Sequence, residues 1–492
     1  MTENRHHLPK EFRVHAAGWE RNPESERYPV PPLGHVMPKV YVLIAEVFAL
    51  KTDADTDAIV NSMRGGLETS LSRFPVLTGN LEMDATSGSM WVNKSRGSTV
   101  GLHVKFMPGE DEFASYEKLA EKDFPANLIA GSKLLPDSVT AKQLHSPLGD
   151  NNEEGIPVAV FQINFIRGGL VLGAAFHHVL TDGPGCDGFL TTWAEYSAAI
   201  AKGTPPSVPS TPLNTFGFER DVEKPSPGRI AELEAAFPVF RDAGGPMAPP
   251  PPGFKMPSLV PQMWHFPRSK AEELKLQASK PGEVEWISTY DAIMALLWSS
   301  VTRAKLGLLD PELNSKAILV HAFDTRKTWD PPLPERCLTV GSAPLRCEPL
   351  AVKDIIAPEN LSTLAASMRT SIKAMTPQRL VDMVQWVTSH PDQRWLEISM
   401  SSFLGLDFGA SSWQGMSSYE KHDFGFGLPK ALRWPSPAFE GFAFVYPSRA
   451  STGIKEEAMD EGVEVCVCLE ESCQERLMRD EILLAYAQPR GL

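Results

Sequence analysis

Residues 158–183 read VAVFQINFIRGGLVLGAAFHHVLTDG. Val158 to Ile166 and Leu170 to Phe176 are runs of β-branched, apolar and aromatic residues joined at Arg167-Gly168-Gly169, which is a hairpin signal. Side chains alternate across a strand, so Leu170, Leu172, Ala174, Phe176 and His178 are expected on one face, with His177 on the other. Gly183, Gly185 and Gly188 then break the strand. The helix that follows carries Phe189, Trp193 and Tyr196 on a common side. His178 therefore stands where a rigid strand gives way to a glycine-rich turn, a common station for a chemically active side chain.

Working outward, both halves of the chain mix strands and helices. Asp57 to Leu71 carries Ile59, Met63 and Leu67 four apart, an amphipathic helix running into the turn at Arg73-Phe74-Pro75. Trp286 to Lys305 reads as a long apolar helix through Ala292, Met294, Leu297 and Trp298. Gly462 to Leu469 alternates as a strand, and the helix after it places Cys473, Leu477 and Ile482 roughly on one side. Between the halves, prolines cluster from Thr204 to Pro212 and from Pro246 to Pro252, a composition that suits extended connectors. Arg229 to Phe240 is expected to be helical between these clusters. A chain of 492 residues exceeds the size of one hydrophobic core. The expectation is an α+β protein of two lobes, residues 1–215 and 216–492, with a crossover at about 204–255.

Composition excludes some partners. A formal net charge of −14 argues against nucleic acid, whose binders usually carry a basic face. The six cysteines are sparse and show no C-x-x-C spacing, which fits reduced thiols in a reducing compartment; Cys466 and Cys468 should share one strand face as small apolar residues. The N-terminal MTENRHHLPKEFRVH lacks the apolar segment of a signal peptide. VYVLIAEVFAL is too short to span a bilayer and contains Glu46. The closing Arg-Gly-Leu is not the Ser-Lys-Leu peroxisomal signal. A cytoplasmic monomer without membrane attachment is expected.

The chemistry of His178 follows from its type and place. Imidazole has an ordinary pKa of about 6.5, so its neutral form takes a proton near neutral pH. An alcohol or amine deprotonated in this way can attack an activated acyl carbonyl. Asp182 can brace the turn through an ion pair. Among the 12 histidines, His178 alone has Asp four residues on, here followed by Gly183. On these residues alone, a structural histidine stays open as the alternative. A covalent route through Cys186 competes with a small residue packing at a helix start, and no G-x-S-x-G elbow supplies another nucleophile.

The run His178-Val179-Leu180-Thr181-Asp182-Gly183 resembles the HxxxDG motif of the BAHD acyltransferases, and Asp423-Phe424-Gly425-Phe426-Gly427 with Pro429 resembles their second signature, DFGWG followed by Pro. The two in this order and at this separation are far more specific than either alone. Weaker likenesses lie at Leu71 to Leu81, Ser288 to Lys305, and Asp324-Thr325-Arg326 followed by Pro331 to Pro334. Together they cover most of the chain, in the style of the fungal branch that includes trichothecene O-acetyltransferases. The resemblance implies two chloramphenicol-acetyltransferase-like domains, each a mixed sheet with flanking helices, with an active-site channel between them. It implies acyl-coenzyme A as co-substrate, a small-molecule alcohol as acceptor, no metal, no tightly bound cofactor and no acyl-enzyme. It makes His178 the base and pairs Asp182 with Arg326. Ser411-Ser412-Trp413 matches a Thr-Ser-Trp run of the family, which makes Ser411 and Trp413 candidate oxyanion donors. Gly183, Asp423, Gly425 and Gly427 take architectural roles. No residue is assigned to coenzyme A.

Two departures stand out. Phe426 replaces a Trp, and Cys337-Leu338-Thr339-Val340 stands where relatives show Tyr, an apolar residue, Gly and Asn, which places the local loop contacts in question. The acceptor expected is a hydroxyl of a fungal-type secondary metabolite, with acetyl as the acyl group. The doublet His177-His178 also fits the HHxxxDG of peptide-synthetase condensation domains, which would require a carrier-protein donor. A catalytically silent binding member of the fold is the remaining alternative.

Overall fold

The computed structural model describes residues 9–137, 139, 155–205, 222–246, 250–279, 284–334, 336–435, 439–453 and 460–491. Two large sheets organise it. The first runs Lys10–Val14, Val100–Met107, Ala159–Ile166, Gly169–His177, Tyr41–Ala49 and Ala431–Arg433, so its last strand comes from late in the chain. Only Val100–Met107 and Ala159–Ile166 pair in parallel. The hairpin closes with Ile166 opposite Gly169, and Gly168 takes φ 75° in its turn. Every residue of both hairpin strands is buried, because each face is covered. On one side Leu172, Ala174 and Phe176 pack with Met63 and Leu67 of helix Thr56–Leu71 and with Phe189 and Trp193 of helix Gly183–Ala201. On the other, Val47 and Val171 pack with Phe113, Leu119, Phe124 and Leu134.

The second sheet runs Ser342–Arg346, Leu319–Asp324, Phe408–Ser412, Phe442–Tyr446, Val463–Glu470, Leu259–Phe266 and Gln488–Arg490. Its second, third and fourth strands, from Leu319–Asp324 to Phe442–Tyr446, run parallel. Helix Thr289–Leu309 covers one face, packing Ala292, Leu297, Trp298 and Val301 against Leu319, Phe408, Ala443 and Val467. This helix is apolar and long enough to cross a bilayer, but its apolar surface is taken up in the protein core.

Three expected elements differ in their limits. Trp286 lies outside the long helix and is exposed, because Ser288 and Asp291 form a capping box that fixes the start at Thr289. Trp286 instead lies under the Lys275 and Arg369 side chains. The C-terminal helix divides into Glu471–Leu477 and Glu481–Leu484, because the Asp480 carboxylate accepts from Leu483 N and starts a new helix. The helix expected from Arg229 to Phe240 spans Pro227–Ala236 and stops before Pro238; Phe240 opens the strand Phe240–Asp242, paired with Leu396–Ile398. Within the proline clusters and crossover, residues 206–221 and 247–249 lie outside the described residues, as do residues 1–8 of the N-terminal segment. All six cysteines are buried, with Cys466 and Cys468 on one strand face opposite Phe444 and Phe442.

Candidate active site

His177 ends its strand and His178 begins the turn, with His178 N donating to Val40 O at 2.8 Å and Leu180 N to His177 O at 3.0 Å. His178 Nδ1 lies 3.0 Å from the Thr181 carbonyl oxygen. A carbonyl only accepts, so Nδ1 carries the proton and Nε2 keeps its lone pair. The ring opens onto a cavity yet stands deep in the protein. That desolvation lowers its pKa below the ordinary imidazole value, against the opposing pull of the Thr181 carbonyl and Asp182. His177 points the other way, as alternation requires. It is fully buried with its ring edge-on to Tyr41, and burial pushes its pKa down to about 3.

Asp182 caps helix Gly183–Ala201, accepting from Gly185 N at 3.1 Å. Its other bonds come from Arg326 Nη2 at 2.7 Å and Nη1 at 3.1 Å and from Gly341 N at 2.8 Å. Burial raises the carboxyl pKa, but the Arg326 guanidinium and these N–H groups outweigh it, so Asp182 stands below its ordinary value. Arg326 also donates to the carbonyl oxygens of Cys337 and Thr339. The departures at Cys337 to Val340 are therefore compatible with this wrapping, because it is made by backbone atoms.

A cavity of about 950 Å³ lies between the two sheets. One wall is Val36 to Val40 and Val42 with His178, Asp182, Gly183 and Pro184; the facing wall is Val320, Ala322 and Asp324 with Ser411, Ser412 and Trp413. Trp434, Phe439, Phe442 and Phe444 close an aromatic end, with the Trp434 ring 5.6 Å from that of Trp413. Neither the Ser411 hydroxyl nor the Trp413 indole N–H has a hydrogen-bond acceptor among the described residues, so both donors are available to the cavity. A Cβ at Gly183 would meet Trp413 Nε1 at 3.2 Å, so the helix start and the indole are in close approach.

The second signature lies elsewhere. Asp423 Oδ1 accepts from Gly425 N at 2.8 Å and Gly427 N at 2.9 Å, and the two glycines take φ 106° and 112°. A Cβ at Gly425 would come within 2.7 Å of Ala201 Cβ, so the turn seats on the end of helix Gly183–Ala201. Phe424 and Phe426 pack edge-on to Phe48. Phe48 is at the far end of its strand from Tyr41, about 24 Å away at about 3.4 Å per residue. The structure thus gathers His178, Asp182, Gly183, Ser411 and Trp413 on one cavity, with Arg326 behind Asp182. Asp423, Gly425 and Gly427 stand apart as architecture.

Several cavity residues were not singled out from sequence. Lys39 lines the wall and donates to His35 O at 2.6 Å and Leu396 O at 2.8 Å, with burial lowering its pKa to about 8. Phe442 and Phe444 were legible in principle, since FAFVY alternates. Lys39 left no local signal, because Leu396 is 357 residues away.

The order of the two sheets and the histidine turn facing the space between them are those of a two-domain acyltransferase with the chloramphenicol-acetyltransferase-like fold. The chain belongs to the Transferase family, the BAHD acyltransferases, whose family model matches residues 24–480. It is similar to the acetyltransferase FGR3 of Gibberella zeae, 28% identical over 503 residues, covering 99% of this chain and 95% of that one. It is also similar to the trichothecene 3-O-acetyltransferase TRI101 of Fusarium sporotrichioides, at 23% identity with 92% of this chain and 94% of the relative covered. Among solved structures, F. graminearum TRI101 complexed with coenzyme A and T-2 mycotoxin matches with a TM-score of 0.77 and 17% identity, over 94% of this chain and 99% of that one.

Proposed function

We propose that the protein transfers an acyl group, acetyl in the first instance, from coenzyme A to a hydroxyl of a fungal-type secondary metabolite, through a ternary complex. The observation that carries this reading is the protonated Nδ1 of His178 on the Thr181 carbonyl, which leaves Nε2 as a base on a cavity holding two unpartnered donors. His178 Nε2 takes the acceptor's hydroxyl proton as its oxygen forms a bond to the thioester carbonyl carbon. The carbonyl oxygen gains negative charge, for which Ser411 Oγ–H and Trp413 Nε1–H are the nearby donors. The C–S bond then breaks, and the imidazolium returns the proton to the departing thiolate. A positioned base contributes roughly a hundred- to ten-thousandfold, and one oxyanion donor roughly a hundred- to a thousandfold. Asp182 and Arg326 hold the turn and take no proton.

The relatives support the reading, one named a 3-O-acetyltransferase and one solved with coenzyme A and a mycotoxin. The apolar and aromatic cavity suits a bulky acceptor of low polarity. We take the lobes to divide as residues 1–215 and 216–492 about the crossover 204–255, and the protein to work as a cytoplasmic monomer; the buried thiols of Cys186, Cys347, Cys466, Cys468 and Cys473 support the compartment. The test is thiol release from acetyl-coenzyme A with a panel of terpenoid, alkaloid and polyketide alcohols. Turnover that vanishes in His178→Ala supports the assignment. Turnover that survives in that variant, or none with any acyl-coenzyme A, overturns it.

A further inference from the structure

The strand Tyr41–Ala49 is apolar except for Glu46, which is fully buried. Its partner is His422, also fully buried, immediately before the Asp423 turn. His422 Nδ1 lies 2.6 Å from Glu46 Oε1. On the other side of the ring, Nε2 lies 3.1 Å from Thr191 Oγ1 and 3.3 Å from Asp187 Oδ1. Carboxylates only accept, so a ring between two of them is satisfied when both nitrogens carry protons. A neutral ring would aim a lone pair at one carboxylate in a site without water-like screening. Burial alone would strip the second proton; Glu46 and Asp187 outweigh it and hold the His422 pKa up at about 10.

These contacts join three elements. Asp187 and Thr191 belong to helix Gly183–Ala201, whose first residue stands so near the Trp413 indole that an added Cβ would meet Nε1 at 3.2 Å. Asp187 also accepts from Ser417 N at 2.8 Å and from Ser417 Oγ at 3.0 Å. Ser417 and His422 sit on the segment that begins at Trp413, whose own N donates to Val445 O at 2.7 Å. The segment is thus tied to the second sheet at one end, and to the motif helix and the first sheet at the other.

We propose that His422 is a positioning residue: as an imidazolium held between Glu46 and Asp187, it sets the Trp413 indole against the start of the helix that follows the His178 turn. The effect on turnover rests on the acyl-transfer reading above; the placement of the indole does not. The charged groups that face His422 are Glu46 from the strand and Asp187 from the motif helix. Within its own segment, Asp423 is turned to Gly425 and Gly427, and Glu420 and Lys421 are exposed.

The test uses the full-length protein labelled with 5-fluorotryptophan, with the Trp413 resonance assigned by its loss in Trp413→Phe. His422→Gln has a single NH2 group and so turns a carbonyl oxygen, which only accepts, toward one of the two carboxylates, and is expected to displace the Trp413 resonance. With acetyl-coenzyme A as probe and water as acceptor, thiol release should fall about tenfold in kcat with KM little changed, since a misplaced group costs up to about a hundredfold. Adding Glu46→Gln to His422→Gln removes the stranded carboxylate and should return the resonance and most of the rate. In the unsubstituted protein the resonance should move with a midpoint near pH 10, a transition absent from His422→Gln. If His422→Gln does not fold, that titration decides alone. A Trp413 resonance unmoved in the folded variant, or unmoved through pH 10 in the unsubstituted protein, overturns the proposal, even where the variant melts at a lower temperature. A protein that holds Trp413 as described yet releases no thiol instead overturns the acyl-transfer reading and leaves the placement standing.

Discussion

Arg326 grips Asp182 with two nitrogens, at 2.7 and 3.1 Å, across 144 residues of sequence, and so occupies the carboxylate of the histidine turn, while the imidazole bonds to the Thr181 carbonyl instead. Asp182 therefore acts as an anchor for the turn. Breaking a buried pair leaves one charge uncompensated and costs about 3–5 kcal/mol. Arg326→Met is expected to lose stability of this order in urea unfolding, with thiol release falling as the turn loosens. Arg326→Lys should recover little, because one ammonium cannot reproduce the planar fork that reaches Asp182 and the Cys337 and Thr339 carbonyls together.

Gly183 separates stability from activity. It opens helix Gly183–Ala201 without needing a left-handed φ, so alanine is favourable for the helix. The added Cβ meets Trp413 Nε1 at 3.2 Å, tighter than ordinary contact. Gly183→Ala should melt at or near the parent temperature while its kcat falls about ten- to a hundredfold. Equal loss of both in parallel melting and rate measurements would contradict this.

The pH profile has a definite sign. The base must be neutral to accept a proton, and burial lowers the His178 pKa. The acid limb of kcat/KM is therefore expected below the ordinary imidazole value of about 6.5. Asp182 opposes that shift, so Asp182→Asn should carry the limb to still lower pH in its residual activity. A limb at or above about 6.5 in rate measurements across pH 4–9 would contradict the assignment.

Glu464 offers a test away from the site. Burial raises its pKa, but Arg433, Arg449 and Arg490 outweigh this and hold it down at about 2. A depressed carboxylate contributes stability that is complete above its ordinary value of 4.5 and lost as the pH falls toward 2. Glu464→Gln removes the buried negative charge that three guanidinium groups share, leaving Arg433 with carbonyl oxygens alone while Arg449 keeps Asp123 and Arg490 keeps Glu461, so it should melt below the parent at pH 7. The gap should narrow in melting curves recorded at pH 2–3.

What the sequence disclosed was local. The hairpin and the strand giving way near His178 could be read, because alternation and glycine are short-range signatures; the helix was expected only after Gly183, Gly185 and Gly188, whereas the Asp182 side chain caps it at Gly183 and takes all three glycines into it. Asp182 with Arg326 was reached through family likeness, since no periodicity links residues 144 apart. Glu46 was visible as an oddity in an apolar run. Its explanation, His422, lies 376 residues away and left no trace in spacing. The missed limits have the same origin as the successes: Ser288 and Asp480 are caps, and their side-chain bonds overrode the apolar periodicity that carried the helices across them.

The strand Ala431–Arg433 lies antiparallel on Val47, Glu46 and Ala45, the far border of the first sheet. A fragment ending at residue 215 would leave that border bare, with a row of unsatisfied backbone donors and acceptors on an apolar ribbon, the kind of surface that recruits other chains. The first sheet thus borrows its protective margin from late in the chain, and the protein is best produced as one uninterrupted polypeptide.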